Sequence, residues 1–533
     1  AGYQGSYSIS DTKIVTNDSL LAYRFQNHIA NQFTFRLPMW QAADRTETQS
    51  AFVQDTWTRK QLTLQGALRY DRAWSFSPVE GNGTDVISRF NAAPISFPRT
   101  DGVNAFNDIT PRFGATYDVF GNGKTAIKFN IGRYLAPATN DSRYTLNNPA
   151  QTTKIVTTVS RTWTDDNGNF VVDCDILNPA TQSGAGKDTC GSITGNNLNF
   201  GKTGNNVALV NPAMLSGWGV RPNDLQWGIN LQQELRPRVS LEVGYNRRYF
   251  HWREANGQGS VTDNTLVGPS DYTAWTIKAP VDPRLPDGGG YPITLYAITA
   301  AASARGAQNY ITLSTDYGPE RTDYWHGVDI TVNARLRNQL NLQAGTSTGR
   351  GVIDNCATAA LIDAPDLRGC HNAEPFLTTL RGSIAYTIPK IDVLLAGTIT
   401  SQPGIALNIT GIVNGTTQNG AVWNVPNSVV QGLLGRLPAG ALATGTTIVP
   451  LLDADHRLYG PRRNQVNMTV RKILRFRSTR TDVGIDLGNL LNSNQATAFQ
   501  SQYDFVQPNG GSWLDSTTIL QPRFARFNVT FGF

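Results

Sequence analysis

Gly345-Thr346-Ser347-Thr348-Gly349 has the G-x-S-x-G spacing of a serine nucleophile on a strand-to-helix elbow. That chemistry needs a helix directly after the serine, with a histidine and an acid in reach. Here the five residues end a Thr/Ser/Gly-rich alternating stretch with no helical period behind it, and they read as a strand running into a loop. Gly123-Lys124-Thr125 matches the tail of a phosphate-binding loop, but the first glycine of that motif falls on Asp118, which leaves a hairpin turn. The five histidines (His28, His251, His326, His371, His456) are scattered and form no His-Glu-x-x-His pair, which argues against a zinc hydrolase. No enzyme is expected.

Two sets of residues keep a chemical role open. Asp165, Asn167, Asn169, Asp173 and Asp175 place oxygen ligands at odd positions of a Gly-containing loop, as a hard cation such as Ca²⁺ requires. The loop departs from an EF-hand, with Phe170 at the glycine position and Ile176 at the bidentate glutamate position. A Ca²⁺ site and a polar surface loop held by Asx turns both fit these residues. No other cofactor is expected. The four cysteines fall as two local pairs, Cys174 with Cys190 and Cys356 with Cys370, and neither has Cys-x-x-Cys spacing. Disulfides within each pair, in an oxidising compartment, are expected.

The elements that must carry these residues are strands. Hydrophobic residues make up 40% of the 533 and charged residues 16%, with 50 Gly, 22 Phe, 18 Tyr and 11 Trp, too uncharged for a disordered chain and too rich in aromatics and glycine for a helical one. No run reaches the ~18 apolar residues of a spanning helix. The formal charge of +6 comes from basic residues scattered singly, so nucleic acid is not an expected partner. The start, AGYQGSYSIS, has no charged or apolar leader region, and the expectation is a sequence that begins after processing or within a longer protein.

Period-two alternation recurs along the chain. Leu62, Leu64, Leu68 and Tyr70 oppose Thr63, Gln65, Arg69 and Asp71; Leu225, Trp227, Ile229 and Leu231 oppose Gln226, Asn230 and Gln232; Val328, Ile330 and Val332 oppose Asp329, Thr331 and Asn333. Tight turns near Arg59-Lys60, Gly121–Gly123, Arg236-Pro237, Arg337-Asn338 and Pro389-Lys390 alternate with connections of roughly 30 to 90 residues, which compact soluble domains rarely carry. Short turns at one rim and long loops at the other are the pattern of an outer-membrane barrel, with an apolar face to lipid and a polar face to the lumen. Trp57, Trp74, Tyr249 and Trp252 suit interfacial girdles. At the end of the chain Ala525, Phe527, Val529, Phe531 and Phe533 share one face; a soluble edge strand built so would aggregate.

The predicted fold is all-β, a transmembrane antiparallel β-barrel with long extracellular loops. About 15 strands are expected, centred near residues 6, 28, 53, 67, 115, 129, 230, 244, 329, 343, 383, 397, 468, 485 and 528. An odd set cannot close antiparallel, so further strands are expected to flank the first and last.

Several stretches resemble the barrel of TonB-dependent outer-membrane transporters with a carboxypeptidase-regulatory-like N-terminal domain. They are AFVQDTWTRKQLTLQGALRYD from Ala51, TPRFGATYDVFGNGKTAIKFNIGRY from Thr110, LQWGINLQQELRPRVSLEVGYNRR from Leu225, DLGNLLNSNQATAF from Asp486, and the closing QPRFARFNVTFGF. The resemblance implies that residues 1–533 are the C-terminal part of a barrel of about 22 strands, with the plug, the TonB-contacting segment and the regulatory-like domain outside this sequence. It implies outer-membrane lipid, the TonB complex and an unknown large or scarce substrate as partners. It also identifies Phe527, Val529, Phe531 and Phe533 as similar to the signal read by the barrel-assembly machinery. The expected function is TonB-coupled uptake; a structural or adhesive surface barrel and a passive porin are the alternatives.

Overall fold

In the computed structural model, residues 1–16, 20–81, 89–90, 93–205, 207–251, 260–318, 321–336, 339–363, 365–407, 420–476, 479–504 and 510–532 are described. Fourteen long strands form the wall: β1 (Gly2–Val15), β2 (Met39–Arg59), β3 (Leu62–Ser77), β4 (Ala105–Asp118), β5 (Thr125–Leu135), β6 (Asn223–Arg236), β7 (Val239–His251), β8 (Thr322–Arg335), β9 (Asn341–Asp354), β10 (Leu377–Ile388), β11 (Val393–Gln402), β12 (Arg463–Phe476), β13 (Thr479–Gly488) and β14 (Phe524–Gly532). Each pairs antiparallel with the next, from Gly2↔Phe52 in the first ladder to Arg480↔Gly532 in the last.

Alternation sets the two faces. Leu68, Phe113, Ile229, Ile330, Ile384 and Leu395 point outward and remain more than a third exposed. Gln226, Asn246, Asp329, Thr398 and Asp486 lie on the opposite face. Connections of two to six residues join β2 to β3, β4 to β5, β6 to β7, β8 to β9, β10 to β11 and β12 to β13. Left-handed backbone at Lys60 (φ 53°), Arg238 (φ 72°) and Lys390 (φ 72°) accommodates three of these reversals. Since every neighbour is antiparallel, all these turns share one rim and all the long connections share the other. This is the expected segregation of short turns from long loops.

The strand expected near residue 28 is a correction. Leu21–Gln26 and Ile29–Arg36 form a hairpin that reverses at Asn27 and His28, both left-handed (φ 51° and 66°). The hairpin pairs with Thr158–Thr164 in an outer loop, not with the wall. Its alternation is real, but it buries Phe33 and Phe35 inside that loop. Among the described residues the wall therefore has an even number of strands, and the argument from odd parity falls away. Even so, among the described residues β1 has a ladder only with β2, and β14 only with β13. Their apolar side chains are correspondingly more open: Tyr3 is 70% and Phe527 81% exposed, against 38% for Val328 inside the wall.

Candidate functional site

The long connections at the outer rim carry hydrophobic cores of their own. The first lies in a five-stranded sheet built from the Leu21–Arg36 hairpin, Thr158–Thr164, Lys187–Cys190 and Gln182–Gly184. Phe33, Phe35, Val159, Trp163 and Ile176 are fully buried there. Arg161 is buried in the same core, with no carboxylate in ion-pair contact among the described residues. Its guanidinium donates to the carbonyl oxygens of Asp175, Ile176, Asn178, Ala180 and Gly191 at 2.6–3.2 Å, tying the irregular 175–180 segment to the sheet. Burial pulls its pKa down from the usual arginine value, although Asp175 acts in the other direction. Trp163 Nε1 donates to Asp188 Oδ2 at 2.8 Å. Cys174–Cys190 closes this cap and Cys356–Cys370 closes the loop after β9, with Cα separations of 6.5 and 4.7 Å. Both expected pairings are formed.

A second cap gathers three connections, those after β7, β11 and β13. The hairpin of Tyr272–Lys278 and Pro292–Ile298 packs with Val422–Pro426, the helix α1 (Asn427–Leu434) and Thr446–Pro450. Trp423, Val425, Val430, Val449, Leu452 and Trp513 fill the interior. Asp282, wholly buried, accepts hydrogen bonds from Arg284 (2.9 Å) and from the Tyr503 hydroxyl (3.1 Å).

The loop singled out for Ca²⁺ is exposed at Asn167, Asn169, Asp173 and Asp175. Asp165 Oδ1 accepts from the backbone N–H of Gly168 (2.8 Å) and Asn169 (3.2 Å), and Oδ2 from Phe170 (2.9 Å). Asn167 and Asn169 accept from the N–H two residues on, and both amides donate to Asp173 Oδ2 at 2.5 and 3.1 Å. Asp175 is bonded elsewhere, to the N–H of Leu177. These are consecutive Asx turns, and a cation entering here would have to displace their backbone bonds. Among the described residues, no three His, Cys, Asp or Glu side chains are grouped to hold a metal ion.

Along the lumen face, polar pairs line several strands: Asn246 with Asp329 (2.8 Å), Arg69 with Asp71 (2.9 Å), and Asp486 with Thr469, Arg471 and Arg526 (2.8–3.5 Å). Arg248 also pairs with Asp224. Near the outer rim a cavity of 570 Å³ opens between Asn130, Gln226, Asn246, Arg248, Trp325 and Glu374. Gly349 leaves room for the Trp325 ring, which would lie 2.3 Å from a Cβ built at that position. Ser347 lies mid-strand opposite Asp329 and Thr379 in the β8–β9–β10 ladder and the strand continues to Asp354, so no helix starts at the serine and Gly345–Gly349 forms no nucleophile elbow. Gly123-Lys124 lies in the β4–β5 turn.

Phe527, Val529 and Phe531 lie outward on β14; Phe533, Trp252 and the Arg337-Asn338 turn lie outside the described residues. Sequence reasoning did not find the two caps. The aromatic density of Phe33, Phe35 and Trp163, and of Trp423 and Trp513, was the available sign.

No curated protein matches this chain. Among solved structures, the outer membrane transporter YddB from Escherichia coli is similar at 10% identity and TM-score 0.44, covering 98% of this chain and 62% of its own. The siderophore receptor PirA from Acinetobacter baumannii is similar at 10% identity and TM-score 0.37, covering 99% and 62%. The ferric enterobactin receptor PfeA from Pseudomonas aeruginosa, an R480A mutant in its own numbering, is similar at 9% and 0.39, covering 96% and 59%. This chain thus spans less than two thirds of the length of each. The model of the outer membrane beta barrel domain matches residues 2–345, a span that runs from the start of β1 into β9. With outward apolar strands, tight turns at one rim and long loops at the other, the chain belongs to the outer membrane beta barrel domain family and resides in the outer membrane.

Proposed function

We propose that this chain forms most of the wall and the outer mouth of a TonB-coupled importer for a large or scarce substrate. The observation that carries the reading is the polar lumen wall with its 570 Å³ cavity at the outer rim, beneath loops folded into cored caps. A cavity lined by aromatic rings, here Trp325 and Phe250 among them, and a few convergent polar groups is the usual form of a ligand site. Caps with buried cores of their own lower the ordering cost of capture relative to loops without one. In this reading additional strands of the same polypeptide flank β1 and β14, since unpaired strand edges are not tolerated in hydrocarbon. A plug, a TonB-contacting segment and a carboxypeptidase-regulatory-like domain precede them. Phe527, Val529 and Phe531, together with Phe533, serve as the barrel-assembly signal.

The test is to recover the full reading frame and measure binding of its periplasmic N-terminal segment to the C-terminal domain of TonB. Binding that is lost on deleting that segment supports coupled import. A complete frame with no plug and no TonB binding would contradict it and leave a surface barrel or porin.

A further inference from the structure

The ladder registers align a row of side chains across the outward face of four strands near the outer rim: Trp227↔Arg247, Arg247↔His326 and His326↔Arg350. One row nearer the tight turns stand Ile229, Tyr245, Val328 and Thr348, and the row after that holds Leu231, Val243, Ile330 and Thr346. One row further out stand Leu225, Tyr249, Tyr324 and Val352. The cations therefore sit at a single level, at the upper edge of the apolar band. In a barrel whose long loops are extracellular, that is the depth of the outer-leaflet headgroups.

Neither arginine has a carboxylate within ion-pair distance among the described residues. Arg247 lies over the rings of Tyr249 (4.6 Å) and Tyr324 (4.5 Å), and its Nε is buried with no hydrogen-bond partner. Arg350 lies over Phe376 at 4.9 Å, and its Nε donates to His326 Nε2 at 3.3 Å. With Nε2 accepting, His326 carries its proton on Nδ1, which faces the Tyr245 hydroxyl at 3.2 Å. The imidazole is thereby neutral and acts as a spacer holding Arg350. Asp354, two rows further out on the same face of β9, is engaged by His371 Nδ1 at 3.0 Å and by the Cys356 N–H. Stacking holds both guanidinium planes; Arg247 Nε is buried and Arg350 Nε is engaged by His326, which leaves the terminal Nη groups for an external acceptor.

Two fixed, unneutralised guanidiniums on a lipid-facing wall are costly unless an anion completes them. The planar fork of arginine matches a phosphate in bidentate fashion. We propose that Arg247 and Arg350, positioned by Tyr249, Tyr324, His326 and Phe376, form a docking site for a phosphate-bearing lipid of the outer leaflet.

The test uses the full-length outer-membrane protein containing this chain, purified in detergent and titrated with diphosphoryl lipid A in native mass spectrometry. The expected result is at least tenfold tighter retention of the diphosphoryl form than of its dephosphorylated counterpart. R247Q/R350Q should remove that preference, R247K should retain part of it, and K124Q, in a turn at the opposite rim, should leave it unchanged. Heat-modifiable gel migration checks that each variant is folded; if the double variant does not fold, R247Q alone is read. Equal retention of the two lipids by the wild type, or an unchanged preference in the folded variants, would overturn the proposal. Displacement of the lipid by millimolar inorganic phosphate would also overturn it, because the site would then take free phosphate.

Discussion

The wall and the caps use apolar residues in opposite ways. In the wall, Ile330, Leu395 and Ile229 are 40%, 37% and 46% exposed, and the ladders hold the strands together. In the caps, Phe33, Phe35 and Trp513 are fully buried, as in a soluble domain. One chain thus folds for two solvents: the wall needs lipid against its outward face, whereas each cap makes its own interior. The two regions should therefore fail separately.

The largest separation is expected from Trp163→Ala, which empties the centre of the first cap and removes the bond to Asp188. Large-to-small changes of this kind cost about 3–5 kcal/mol. Limited proteolysis should cut within 136–222 while heat-modifiable migration of the barrel stays unchanged. Collapse of the barrel together with the cap would break the comparison. The converse change, Ile330→Arg, places a charge near the middle of the outward face of β8. It should cost about 2–4 kcal/mol in refolding into lipid vesicles and leave the caps protease-resistant.

Replacing Cys174 and Cys190 together by serine should cost the first cap about 3 kcal/mol, with the wall again unaffected. Chemical denaturation followed by cap-specific proteolysis reads this. A smaller effect is expected from pH where the first cap meets the wall. Glu80 lies just beyond β3; burial pushes its carboxyl up to about 7, the Ala43 N–H at 2.6 Å opposes the rise, and nearby Asp44 adds to it. Since its folded pKa is raised, the folded state binds the extra proton. That contribution is full below the unfolded value near 4.5 and is lost as pH rises through about 7. Stability of this junction should fall over that window by on the order of 2 kcal/mol, and Glu80→Gln should flatten the slope. A slope unchanged in the variant would show that another group carries it.

Much of the wall was legible because lipid on one side and water on the other impose strict alternation. The turns near Arg59, Gly121, Arg236 and Pro389 fell where expected. The misplaced strand shows the limit of that signal: Phe33 and Phe35 alternate with Gln32 and Thr34 as wall residues would, but their partners are loop residues such as Val159, more than a hundred positions away. Local pattern reports that a strand has one apolar face and does not report what covers it. The caps were hidden for the same reason, since their cores join loops distant in sequence. Both disulfides were legible because each closes a short local span with no competing cysteine. The outward arginine row emerged only from the registers, which align Arg247 with His326 and Arg350.

The most direct test of the two-rim arrangement is single-cysteine labelling in intact cells with a membrane-impermeant maleimide, in the full-length protein. Thr444 lies exposed in the second cap, and Asn122 lies exposed in the β4–β5 turn. Thr444→Cys should label in intact cells, and Asn122→Cys only after the outer membrane is permeabilised. Labelling of Asn122→Cys in intact cells, with Thr444→Cys protected or equally reactive, would contradict the account.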